Sequence, residues 1–309
     1  MARKPANREE AEQRHQTVLN TAQAQAAALH GMYRETLGTF LATPGAVPMP
    51  RAARAMFWLG RLRQWRAIHL DGGEICSGTH RLTLQLGVVE AVAGTHALAL
   101  HREQWSGPHR RQTYERDMAL QIAMLIALGW RDLATFALQA WFSADSELTP
   151  PAPIGGVAGM IVAVASQALG NSPPIMAFQR SETLLADIVE HWHSDDATFT
   201  PLSIQLAERH LAQCRLDTEQ SLFDFDHPVE QAMPVELLML LRLRDLKTIP
   251  AWLAEHTVLR HPIATLADIT APIPSQRCIR FAERVSGLLP SYTGLLHSIE
   301  AQALRLREP

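Results

Sequence analysis

Leu288-Leu-Pro-Ser-Tyr-Thr-Gly-Leu-Leu-His-Ser-Ile-Glu-Ala-Gln-Ala-Leu-Arg-Leu306 sets Leu288, Tyr292, Leu295, Leu296, Ile299, Ala303 and Leu306 at three- and four-residue steps. An α-helix turns once in about 3.6 residues, so these side chains share one face, and that face is expected to dock on the body of the protein. Alanine, leucine, glutamine and arginine recur at helical spacing through most of the chain, while alternating strand patterns are scarce. The reading is all-α: a multi-helix antiparallel bundle, or layered helical hairpins.

Working outward, helices are expected at Arg8–Phe40, Arg51–His69, His80–His101, Thr113–Leu128, Asp132–Phe142, Gly155–Ala168 and Ser181–Trp192. Five more are expected at Pro201–Cys214, Pro234–Leu246, Pro250–His256, Ser275–Ser286 and Pro290–Leu306. Proline suits a first helical turn, so Thr200-Pro201 and Met233-Pro234 read as starts, with Glu236 placed to complement the helix dipole. Gly129 reads as a stop before a short turn. Residues 1–309 are read as one helical domain, with Thr149-Pro-Pro-Ala-Pro153 as a candidate hinge between two subdomains.

A chain of 309 residues, 47% hydrophobic and 19% charged, has the composition of a globular fold able to bury a large core. Its three cysteines, Cys76, Cys214 and Cys278, form no CxxC pair, which suits reduced thiols. The opening residues are charged and polar, without the apolar segment of a secretory signal, so a cytoplasmic location is expected. Between Leu148 and Gln179 no charge occurs, but proline and glycine leave only Ile154–Ala165 as a compact apolar run. That is too short for a bilayer, which needs about 20 residues, and no membrane partner is expected.

Histidine can ligate a metal or act as a base, and the chain has 14 of them. In Glu190-His191-Trp-His-Ser-Asp-Asp196 the two imidazoles point about 200° apart on a helix, too divergent for one ion. His96 and His101, or His69 and Asp71, share no face either. There is no HExxH, GxSxG, Walker loop or GxGxxG; the glycines of Ile154-Gly-Gly-Val-Ala-Gly159 follow no strand and read as close helix packing. No catalytic residue, metal or cofactor is assigned. A metal-dependent hydrolase using His191, His193 and Asp195 is the least favoured alternative.

Arg51, Arg54, Trp58, Arg61, Arg63, Trp65 and Arg66 could contact nucleic acid. Their spacing fits an amphipathic helix with an arginine-rich solvent side better, and the net charge of −3 disfavours a nucleic-acid binder.

Charge distribution separates the chain more sharply. Met1–Arg66 carries ten basic and four acidic residues, whereas Glu182–Glu236 carries two basic and twelve acidic, a local net charge of −10. Such a block steers a basic partner and repels acidic ones. Aromatic residues among the acids supply anchors. The expected partner-binding residues are Asp187, Glu190, Trp192, Asp195, Asp196, Asp217, Glu219, Phe223, Asp224, Phe225, Asp226 and Glu230. Internal pairing of these acids with the basic N-terminal region is the competing reading.

Met233-Pro-Val-Glu-Leu-Leu-Met-Leu-Leu-Arg-Leu-Arg-Asp-Leu-Lys-Thr-Ile249, followed by His261-Pro-Ile-Ala-Thr-Leu266, resembles the all-helical bacterial family called immunity protein 49. Met118–Phe142 is similar to the central helical hairpin of those proteins, and together the regions cover about a fifth of the chain. Asp245-Leu-Lys247 departs from the pattern, in which a glycine often closes the late helix. The resemblance implies a cytoplasmic, non-enzymatic antitoxin of a polymorphic toxin system. It would bind a cognate effector toxin and occlude it during bacterial competition. A scaffold or regulatory adaptor for another protein is the alternative.

Overall fold

A computed structural model describes residues 13, 26, 29–69, 78–104, 115–142, 154–170, 182–218, 220–261, 263–266 and 269–306. The fold is all-α, and among the described residues there is no strand, only isolated bridge residues such as Cys214 with Phe225 and Thr218 with Ser221. The helices are α1 (29–42), α2 (Met49–His69), α3 (Gly78–Gln104), α4 (Glu115–Ala127), α5 (Arg131–Phe142), α6 (Gly156–Ala168) and α7 (Thr183–His191). They continue as α8 (Asp196–Gln213), α9 (Pro228–Ala232), α10 (Val235–Leu243), α11 (Ala251–Ala254), α12 (Gln276–Ser286) and α13 (Thr293–Arg305). Most of the N-terminal helix expected from Arg8, and the proposed hinge at 149–153, lie outside the described residues.

Helices α2 and α3 pack backbone against backbone. A Cβ on Gly60 would stand 2.6 Å from the Gly87 carbonyl oxygen, one on Gly87 2.8 Å from the Gln64 nitrogen, and one on Gly94 2.6 Å from the Ala53 carbonyl oxygen. Only hydrogen fits at those positions, so the seam contains no intervening layer of side chains. Apolar α4, with Met118 to Ala127 all buried, sits centrally against α5, α6 and α10. One continuous apolar core runs from Leu37 on α1 to Ile299 on α13 and includes elements on both sides of residues 149–153. Within α3, Arg81–His101 is long and apolar enough to cross a membrane, yet 78% of its most apolar window is buried inside the protein.

Local chemistry explains the boundaries. Gly129, at φ +78°, closes α4: its N–H donates to Ile126 O at 2.8 Å and Trp130 N–H reaches Leu125 O at 2.9 Å. Ser275 caps α12 by accepting from Cys278 N–H at 3.1 Å. Pro234 stands at the N-cap position of α10 without a side-chain cap, one residue from the start read from the sequence. Pro201 does not start α8; that helix begins at Asp196, capped by Asp195 accepting from Thr198 N–H at 3.0 Å, and Pro201 lies inside it. A carboxylate cap on free amides outweighed the proline signal. The late helix ends at Leu243, and Asp245, at φ +58°, occupies the left-handed position that glycine usually takes.

The C-terminal face needs adjustment at its ends. Tyr292, Leu295 and Ile299 are buried, but Leu288 is 57% exposed, and Leu289 turns inward in its place. A 3₁₀ turn at Pro290–Tyr292 shifts the phase before α13 begins.

Candidate partner-binding surface

After α8 the described residues between 214 and 227 form no helix, and the segment is fastened at its base by a bridge between Cys214 and Phe225. Two arginines secure it. Arg116, in the first turn of α4, donates to Asp217 at 3.1 Å, to Asp226 at 2.8 Å and to the Phe223 carbonyl at 2.5 Å. Arg209, on α8, grips Glu182 at 2.7 and 2.8 Å and Asp224 at 2.5 Å. Asp217 also accepts from Phe223 N–H at 2.7 Å, and Arg215 lies over the Phe223 ring. With carboxylates and backbone held inward, Leu222 (80% exposed) and Leu216 (50%) are left at the surface.

The acidic block therefore divides. Glu182, Asp217, Asp224 and Asp226 belong to these clasps. Glu230 is buried and pairs with Arg61, to which Gln64 adds an acceptor at 3.0 Å. Phe225 is buried as well, so neither Phe225 nor Glu230 can face a partner in this arrangement, a correction to the sequence reading. Arg61 and Trp65 are also buried, so α2 does not carry the uniform arginine-rich solvent side expected of it. Periodicity located the face but could not show that a carboxylate 169 residues away would enclose Arg61.

Asp187 is half-exposed and Glu190 exposed on α7, and Asp195 and Asp196 stand exposed at the start of α8. Arg244 stiffens that corner, donating to Trp192 O at 2.9 Å, Ser194 O at 2.5 Å and Asp196 at 2.7 Å. Trp192 N–H reaches Gln167 at 2.9 Å and the ring is half-buried. Glu219 lies outside the described residues. Because α8 spans eighteen residues, roughly 27 Å at 1.5 Å each, the acidic corner and the clasped loop sit at opposite ends of it. One expected patch is thus two.

Two partly buried acids hold their protons more tightly than usual here. Burial, aided by Asp217, Asp117 and Glu230, pushes the Asp226 carboxyl up to about 7, against the opposing pull of Arg116. Burial likewise raises Asp117. Behind Phe225, His210 Nδ1 and Glu236 lie 2.7 Å apart with both side chains fully buried. Although burial opposes the charged ring, Cys214 and Glu236 raise His210 well above its usual range. Cys214, His210 and Glu236 have the order of nucleophile, base and orienting acid, but the Phe225 ring lies 4.1 Å from the imidazole and Cys214 is 1% exposed. The group is sealed in this arrangement.

His96 takes no part in a site. Trp141 N–H donates to its Nδ1 at 3.3 Å, Phe136 and Tyr292 flank the ring, and burial lowers its pKa to about 4. Among the described residues no three His, Cys, Asp or Glu side chains are grouped to hold a metal ion. Gly156, at φ +60°, has a conformational reason: a Cβ there would also meet Asp224 Oδ1 at 2.9 Å. The reading missed Leu216 and Leu222 because isolated leucines in an acidic stretch have no periodicity. It missed Arg116 and Arg209 because their partners are remote in sequence. Compared with protein-family models, with curated proteins and with solved structures, the chain matches none.

Proposed function

We propose that this is an immunity protein that binds a cognate effector toxin with a basic surface and blocks it, acting in the cytoplasm. The observation that carries the reading is the clasped loop. An exposed leucine pair on a segment whose ends are fixed by Arg116 and Arg209 is a pre-ordered apolar anchor, and pre-ordering lowers the entropy cost of association. Asp187, Glu190, Asp195 and Asp196 at the other end of α8 supply a field that steers a basic partner. The resemblance of Met233–Ile249 and Met118–Phe142 to immunity protein 49 supports the choice of toxin as partner. The test is co-expression with the product of the adjacent gene. Rescued growth and a co-purified complex are expected, and Leu222→Asp should abolish both while leaving the helical content unchanged. Rescue without a complex would instead indicate repair of toxin damage and would sink the reading.

A further inference from the structure

We propose that Cys214, backed by His210 and Glu236, is a thiol that reacts with a small peroxide, and that its oxidation unlatches the loop at 214–227. Two helices and the loop bring the group together. His210 and Cys214 lie one turn apart at the end of α8, where the Cys214 N–H donates to the His210 carbonyl at 3.1 Å, so both side chains share one face of the helix. Glu236, in the first turn of α10, meets His210 Nδ1 at 2.7 Å. Phe225, bridged to Cys214 through the backbone, sets its ring 4.1 Å from the imidazole and closes the group off.

His210 Nε2 and Glu236 Oε2 are both buried without a hydrogen-bond partner among the described residues, on side chains with no exposed surface. A pair kept only to join α8 to α10 would gain from satisfying those atoms, whereas a pair that takes up and returns a proton needs one free. Burial opposes a charge on the ring, yet Cys214 and Glu236 raise its proton affinity well above the usual range, and a sulfur that has given its proton to an imidazole is the nucleophilic form. Cys278 is the internal contrast: it is buried as deeply, and burial, then Glu90, push its thiol up to about 12, against Arg277. Exposure does not separate these two cysteines, but only Cys214 has a histidine one helical turn away.

At 1% exposure, beneath a ring as deeply buried, Cys214 admits nothing bulky. Hydrogen peroxide is little larger than water and carries its own leaving group. The thiol proton passes to His210, the sulfur attacks one peroxide oxygen, the O–O bond breaks, and the departing hydroxide takes the proton from His210 and leaves as water. The sulfur is oxidised to a sulfenic acid as the peroxide is reduced. One more heavy atom in a packed site displaces Phe225, and with it the bridge at the base of the loop.

This chemistry needs nothing of the toxin-binding reading and is tested on the chain alone, in a Cys76→Ser background. The protein is treated with hydrogen peroxide or with N-ethylmaleimide, the peroxide samples are quenched in denaturant containing dimedone to trap sulfenic acid, and each cysteine is read by peptide mass spectrometry. Cys214 should be oxidised at least tenfold faster than Cys278, while N-ethylmaleimide labels neither before unfolding. Hydrogen exchange at 214–227 should rise after oxidation. Glu236→Gln, which keeps the shape of the side chain, should slow oxidation of Cys214 at least tenfold without opening it to N-ethylmaleimide; the comparisons between cysteines and between reagents require no change in the buried group. Equal oxidation of the two cysteines, oxidation of Cys214 only as fast as N-ethylmaleimide reaches it, an unchanged rate in a folded Glu236→Gln variant, or unchanged exchange after oxidation would each overturn the proposal.

Discussion

Arg116 and Asp226, 110 residues apart in the chain, meet at 2.8 Å and tie the start of α4 to the loop after α8. The same guanidinium holds Asp217 and the Phe223 carbonyl. Replacing Arg116 by alanine removes all three contacts and leaves two neighbouring acids uncompensated. A loss of about 1–3 kcal/mol is expected for charged hydrogen bonds of this part-exposed kind, measured by urea unfolding. Local loosening should exceed the global loss: in a Cys76→Ser background, Cys214 should become reactive to a thiol reagent below the unfolding transition. Unchanged Cys214 protection would mean that Arg116 does not hold the loop closed.

The loop should also loosen with rising pH. Asp226 binds its proton more tightly in the folded protein than in the unfolded chain, because of burial and the facing acids Asp117 on α4, Asp217 in the loop and Glu230 on α9, against Arg116 on α4. A raised folded pKa contributes stability that is complete below the unfolded value near 4 and is lost as pH climbs through about 7. Hydrogen exchange at 214–227, corrected for intrinsic rates, should therefore rise between pH 6 and about 8. Asp226→Asn should flatten that rise, and a profile identical to wild type would refute the assignment.

Glycines on different helices should respond oppositely to the same substitution. Gly87→Ala forces a Cβ to within 2.8 Å of the facing helix backbone, and overpacking of that kind costs about 1–3 kcal/mol or more. Gly38→Ala on α1 meets nothing within 4 Å and should stabilise by about 0.5–1 kcal/mol through helix propensity. Thermal unfolding of the two variants checks both signs.

Asp245 sits at φ +58°, where a side chain is disfavoured. Asp245→Gly is expected to add up to about 1 kcal/mol of stability, since the ion pair it gives up, to Arg131 at 3.6 Å, is exposed on both sides. A valine there should destabilise. Chemical denaturation of the two variants distinguishes the backbone effect from loss of the charge.

Removing one partner of the buried Arg61–Glu230 pair should cost about 3–5 kcal/mol, whereas Arg61→Met combined with Glu230→Leu should recover most of it. A double variant as unstable as the singles would show that Gln64 and Asp117, rather than the pair, depend on Arg61.

Helix positions were legible because propensity, glycine stops and proline starts are local. The departures came where a local signal met a stronger neighbour, as when the Asp195 cap displaced Pro201 and Asp245 stood in for glycine. Surface chemistry was less legible. Composition identified the acidic block, but whether an acid faces water depends on an arginine far off in sequence, as Glu230 with Arg61 and Asp226 with Arg116 illustrate. Phe225 looked like an anchor for the same reason: nothing in its neighbours announces the His210 ring that covers it.

Because no cushion of side chains separates α2 from α3 at Gly60, Gly87 and Gly94, α2 behaves as an axle fixed in its bearing. Arg61 and Arg63 leave that axle in opposite directions, one toward Glu230 and the acidic loop's support, the other toward Glu90, which Arg277 of α12 also holds. One setting of the helix thus serves both ion pairs, and a roll that relaxed either would draw the other off its carboxylate.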